Sequence, residues 1–144
     1  FDTHDDPANT GGIFFTSASV RAPAWNIISE AVGTFVLITW VMQSSPFQAG
    51  TGDAAPQFCN SALGYAGVAF TVIAIGASLG GPTGYAINPA RDLGPRIVYS
   101  LLPINGKGSS NWGYAWVPII GPFVGALVAM LYYWVGGSGA GSFG

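Results

Sequence analysis

The sequence predicts an all-α membrane protein built from three transmembrane helices and one re-entrant half-helix. Three observations carry this reading. Half of the 144 residues are hydrophobic and only 7% are charged, a composition unlike that of soluble globular domains. Three apolar segments have the length a bilayer demands, about 20 residues at 1.5 Å rise each. Between the second and third lies "GGPTGYAINPARDLGPR", residues 80–96, broken by glycine and proline yet carrying two arginines and an aspartate.

Residues 1–23 read as a connecting loop. Their opening, "FDTHDDPANTGG", has no initiator Met, no basic stretch and no apolar stretch, so it is neither a signal peptide nor a natural start. The chain is therefore expected to be part of something longer. The first span, 24–42, follows Pro23 and contains one acid, Glu30. The second, 61–80, carries no charge. The third, 114–135, has Trp and Tyr at both ends, as the aromatic belts of membrane interfaces do. In it Gly121, Gly125 and Ala129 recur every four residues, a stripe of small side chains that lets a second helix approach closely. Gly64, Gly67 and Gly76 are expected to do similar work in the second span. Residues 136–144, rich in Gly and Ser, read as a flexible tail. The connection over 43–60 has no Lys or Arg, so charge does not orient the chain in the membrane.

Composition also excludes several functions. Four basic residues and a net charge of −2 leave no surface for nucleic acid. The lone Cys59 and lone His4 make neither an internal disulfide nor a metal site, and no cofactor is expected.

The broken segment, 81–103, is the informative one. Asn88 is a strong helix N-cap and Pro89 suits the first helical position. From Pro89 to Leu102 is about 14 residues, roughly 21 Å of helix, too short to cross a bilayer. A short helix entered through irregular backbone and ended at Pro103 reads as a re-entrant half-helix, and irregular backbone at membrane depth is tolerated where protein buries it or water reaches it. The helix N-terminus and the Asn88 amide would then repel cations at mid-membrane. Arg91, one turn in, projects a fork of donors, and the carbonyls of Gly84, Tyr85 and Ala86 offer acceptors. Such a lining suits small neutral molecules that carry hydroxyls.

These residues carry a resemblance. "GASLGGPTGYAINPARDLGPR" resembles the second signature loop of the major intrinsic proteins, the aquaporins and glycerol facilitators, whose Asn-Pro-Ala stands here as Asn88, Pro89 and Ala90. The likeness runs from the Glu30 helix to "VPIIGPFVGAL". It implies that the chain is the second of two inverted repeats, with the first, N-terminal half missing, and that the whole is a homotetramer with one pore per subunit in a cell membrane. Asp92, Arg96, Pro118 and Ile119 resemble the glycerol-facilitator branch. The family's narrow filter maps onto Gly76, Tyr85 and Arg91, where Gly76 matches the wide glycerol version and Tyr85 departs from the usual Phe. The resemblance implies a passive channel for glycerol, similar small polyols and water that excludes ions and protons, and assigns Glu30 to hold the loop backbone. A water-selective channel is the nearest alternative. A secondary transporter is a further one, for which Glu30 could be a proton relay, although it has no intramembrane Lys or His partner. An enzyme finds no nucleophile or paired carboxylates here, and "GGPTG" lacks the rest of a phosphate-binding loop.

Overall fold

The computed structural model describes residues 9–44 and 62–137. His4, Cys59, most of the first connection and residues 138–144 of the tail lie outside them. Among the described residues the chain is all helical: α1 (Gly11–Phe14), α2 (Pro23–Ser44), α3 (Ala62–Thr83), α4 (Pro89–Leu101) and α5 (Val117–Tyr132), whose end widens into a π turn over Tyr133–Gly137. Helices α2, α3 and α5 are each long and apolar enough to cross a membrane, and the chain is an integral membrane protein.

Helix α2 turns a polar stripe inward. Asn26, Glu30, Gly33 and Thr34 are buried, at the i, i+4, i+7, i+8 spacing of one helical face. Ile28, Val32, Val36 and Trp40 are exposed on its other sides. This reverses the soluble pattern, as expected where the solvent is lipid.

The small-residue stripe of α5 packs against that face. A Cβ added at Gly121 would come within 2.5 Å of Glu30 Cβ, and one at Gly125 would overlap the Ala31 carbonyl; Ala129 is fully buried. Glycine thus brings two backbones together and backs Glu30 from behind. Gly67 and Gly76 of α3 meet different partners. Gly67 accommodates the Trp40 indole, but a Cβ at Gly76 would meet the ring of Tyr85, a loop residue rather than a helix.

Three departures from the sequence reading exceed two residues. One turn of helix, α1, lies within the expected loop 1–23. The third span begins at Val117 rather than 114, since residues 112–116 form turns. And α3 does not stop at Gly80 but runs through Gly81 and Pro82 to Thr83. Pro82 removes one helical donor, yet the end is closed by the Gly84 amide on the Gly80 carbonyl (2.8 Å). The carbonyls of Pro82 and Gly81 accept from the Ser19 amide (3.1 Å) and hydroxyl (2.9 Å). A partner 62 residues away supplies what local propensity withholds. The irregular backbone is accordingly short, Gly84 to Asn88.

Helix α4 is 13 residues long. Asn88 caps it, its Oδ1 accepting from the Ala90 amide at 2.9 Å. Leu102 leaves it with an extended ψ of 134°, the conformation that a following proline imposes. Its C-terminal carbonyls are gathered by one cation: Lys107 Nζ donates to Tyr99, Ser100 and Leu102 at 2.8, 2.9 and 2.7 Å, where the helix dipole favours positive charge.

Candidate functional site

The loop between α3 and α4 holds its backbone in an unusual shape. Gly84 has φ +78°, Tyr85 +42° and Ile87 +45°. For the two residues with side chains, this region costs on the order of 1–3 kcal/mol each and persists only where surroundings over-determine it.

The surroundings are polar groups of α2 and α3. Glu30, buried on α2, accepts from the Ala86 amide at 3.0 Å and the Ile87 amide at 2.6 Å, one with each carboxyl oxygen. One turn on, Thr34 Oγ1 lies 2.8 Å from the Glu30 carbonyl and 3.3 Å from that of Ile87. Thr83 Oγ1 accepts from the Tyr85 amide at 3.2 Å. A Cβ at Gly33 would come within 2.9 Å of Ile87 Cγ2, so glycine makes the berth for that side chain. With the amides of residues 85, 86 and 87 bonded to the protein, the carbonyls of Tyr85 and Ala86 turn to the other side.

There they meet Arg91. Its Nη1 donates to the Tyr85 carbonyl and, at 3.3 Å, to that of Ala86, and its guanidinium lies 4.8 Å above the Tyr85 ring centroid. These carbonyls are therefore shared between Arg91 and any visitor. Among the described residues only one guanidinium nitrogen is engaged, leaving the donors of Nε and Nη2. Among the described residues no carboxylate pairs with Arg91, and its charge adds to the positive end of α4. The Asn88 amide nitrogen, exposed beside it, is turned away from the Ala90 amide that its oxygen caps.

The ring of Tyr85 lies along a glycine seam. A Cβ at Gly76 would be 3.0 Å from its Cζ, and one at Gly80, a turn later, 2.7 Å from its Cδ1. Gly76, Tyr85 and Arg91 are brought together, but the volume beside Gly76 is partly taken by the ring. A cavity of about 600 Å³ opens beside Tyr85 and Arg91, lined also by Phe14, Thr16 and Gly84 among others but not by Gly76.

Asp92 and Arg96 face away from that cavity, into protein. They form a buried ion pair (2.8 Å). All five donors of Arg96 are used: Nε and Nη2 on Asp92 (both 2.8 Å), Nη2 on the Thr16 carbonyl (2.9 Å), and Nη1 on the carbonyls of Ser110 (2.7 Å) and Asn111 (2.8 Å). Asp92 Oδ2 also accepts from the Thr16 amide (2.8 Å) and hydroxyl (2.7 Å), and the guanidinium stacks 4.2 Å over Phe15. Pro118 is buried in the first turn of α5, with Ile119 half-buried beside it.

A model of the family described as "Major intrinsic protein" matches residues 16–133. The chain belongs to the major intrinsic protein family. It is 48% identical over 129 residues to the glycerol uptake facilitator protein of Bacillus subtilis, covering 90% of this chain and 43% of that protein. It is 51% identical over 122 residues to glycerol uptake facilitator protein 3 of Lactiplantibacillus plantarum, covering 84% and 47%. A probable glycerol uptake facilitator protein of Thermotoga maritima is 46% identical over 132 residues, covering 91% and 52%. Within the family, the chain stands on the glycerol-facilitator branch. It spans about half the length of the curated relatives it matches.

Three contributors to the site escape a reading of the family's signature alone. Thr34 and Gly80 each stand four residues after a named residue, Glu30 and Gly76, so helical periodicity could have found them. Thr16 gives no such signal; it is 76 residues from Asp92.

Proposed function

We propose that this chain is one half of a passive channel that conducts glycerol, similar small neutral polyols and water across the cell membrane while excluding ions and protons. Together with its other half it makes a complete pore, and the complete channel is a homotetramer. The observation that carries the reading is the loop. Its amides are bonded inward and its carbonyls turned outward beside an Arg91 with unspent donors and a Tyr85 ring. Hydroxyls of a polyol have acceptors and donors along this row, and its CH groups have the ring face. A cation meets the helix N-terminus and a guanidinium that no carboxylate among the described residues pairs. The names of the relatives support glycerol as solute. In this reading the protein is a channel rather than an enzyme, as its membership of the major intrinsic protein family supports.

Solute choice is tested at Gly76. In proteoliposomes the complete channel is expected to pass glycerol and water, and Gly76→His is expected to push the Tyr85 ring toward Arg91. Glycerol flux should then fall by about tenfold or more, a barrier change of ~1.4 kcal/mol, with water flux still measurable. Wild type that passes water but no glycerol supports the water-selective alternative; parallel loss of both fluxes makes Gly76 a seat for the ring rather than a selector.

Ion exclusion is tested at Arg91. Arg91→Ala removes the fixed charge and releases the Tyr85 and Ala86 carbonyls as bare acceptors. Cation or proton leak, read with a potential-sensitive or pH-sensitive dye, should rise several-fold, on the scale of ~1 kcal/mol. Unchanged leak and unchanged glycerol flux in well-folded protein would remove Arg91 from the conduction path.

A further inference from the structure

The loop is clamped from inside by Glu30, and this clamp reaches the amides of residues 86 and 87. It does not reach Gly84, where the backbone first enters the left-handed region at φ +78°. A separate piece of chain does. Residues 10–19, which precede the first span, cross the outside of α4 as a strap fixed at successive points. Thr10 Oγ1 is 3.2 Å from the Tyr99 hydroxyl. The rings of Phe14 and Phe15 pack on Tyr99 with centroids 5.2 and 5.3 Å away. The Asn111 side-chain Nδ2 donates to Ser17 Oγ at 2.9 Å, and Ser19 ends the strap on the carbonyls that close α3.

Thr16 is the most constrained residue of the strap. Its amide and hydroxyl both donate to Asp92 Oδ2, and its carbonyl accepts from Arg96. All three polar groups are thereby tied to the buried ion pair. Its side chain bears on the loop: a Cβ at Gly84 would lie 3.1 Å from Thr16 Cβ and 3.3 Å from its Cγ2. The next residue is Tyr85, whose carbonyl and ring are the elements facing Arg91.

We propose that Thr16 is a positioning residue for selectivity: Asp92 anchors it, and its side chain fixes the Gly84–Tyr85 backbone from outside, as Glu30 fixes residues 86 and 87 from inside. Asp92, which faces away from the cavity, then bears on solute choice through Thr16. The inference rests on the channel reading for its readout, since it concerns which solutes pass.

The test compares Thr16→Val, Thr16→Ala and Thr16→Ser in the complete channel, each measured as the ratio of glycerol to water permeability in proteoliposomes holding equal amounts of folded protein. Val keeps the shape without the hydroxyl, Ala relieves crowding, and Ser keeps the hydroxyl bond to Asp92 together with the Cβ beside Gly84. The ratio should shift by roughly threefold or more in Val and Ala, as a displaced positioning group would cause, and Ser should restore it to near the wild-type value. A ratio equal in all four proteins overturns the proposal. So does a Ser variant that folds while neither Val nor Ala does, because Thr16 would then be an anchor for stability alone. Wild type that passes water but no glycerol would instead sink the glycerol reading itself, and this would show before any variant is made.

Discussion

Glu30→Ala in the complete channel is expected to reduce glycerol flux per folded protein by about a hundredfold, the largest functional loss available from a single residue that touches no solute. Each carboxyl oxygen satisfies one buried amide, those of Ala86 and Ile87. Leaving a buried donor unmet costs about 1–3 kcal/mol, and two are released together. The same loop carries the strained backbone: Tyr85 and Ile87 have positive φ without being glycine, at on the order of 1–3 kcal/mol each. Without Glu30 the loop can lower its energy by relaxing Ile87 and turning the amides toward water. The carbonyls of Tyr85 and Ala86 then rotate off the row beside Arg91. A barrier rise of ~2.7 kcal/mol is a hundredfold in rate, well within these terms. Glu30→Gln should fall between, since its amide oxygen keeps one acceptor while its NH₂ opposes the other loop amide. Flux assays on detergent-purified, monodisperse protein check the order wild type, Gln, Ala. Wild-type flux in Glu30→Ala would mean that the loop holds its shape without the α2 carboxylate.

The legible part of this molecule was the part governed by local rules. Asn-Pro at positions 88 and 89 marks a helix start because the cap and the fixed proline φ act within three residues, and Pro103 marks its end through the conformation it imposes on Leu102. A length of about 14 residues between them follows, against 13 in the structure, and with it a helix too short to cross a bilayer. Length and apolarity mark the three spans, and four-residue spacing marks Gly121, Gly125 and Ala129 as a contact face. What local rules missed depends on partners far along the chain. "GGPT" reads as a break, yet α3 continues through it because Ser19 takes its terminal carbonyls. Gly76 reads as open space, but the Tyr85 ring lies beside it, a placement set by the positive φ of Tyr85 that no residue type announces. Asp92 and Arg96 stood out as charges in an apolar chain and through family resemblance; that they are buried, and tied to Thr16, Ser110 and Asn111, depends on segments far along the chain, among them a strap that reads only as part of a connecting loop.

That ion pair gives the largest expected loss of stability. Arg96→Leu removes five donors at once, leaving Asp92 as a buried carboxylate held, among the described residues, by Thr16 alone, and the carbonyls of Thr16 and Ser110 without the bonds Arg96 supplied, while that of Asn111 keeps only the Tyr114 amide. Breaking one side of a buried pair typically costs 3–5 kcal/mol, so the complete channel should unfold at markedly lower temperature in detergent. The instructive variant is Arg96→Lys. It retains the charge, and were charge the main contribution it would behave like wild type. An ammonium has three donors on a point rather than five on a planar fork, and here the fork reaches three segments: Asp92 on its own helix, Thr16 of the strap, and residues 110 and 111 before α5. Lysine can serve Asp92 and at most part of the rest, so Arg96→Lys is expected to lose roughly half of what Arg96→Leu loses, on the order of 2 kcal/mol. Limited proteolysis should find the two variants alike in one respect, with cleavage gained in residues 10–19, because the strap is the segment that loses its carbonyl bond in both. Thermal unfolding of Arg96→Lys at the wild-type midpoint, with the strap still protected, would show that charge alone holds the assembly and that the guanidinium geometry is incidental.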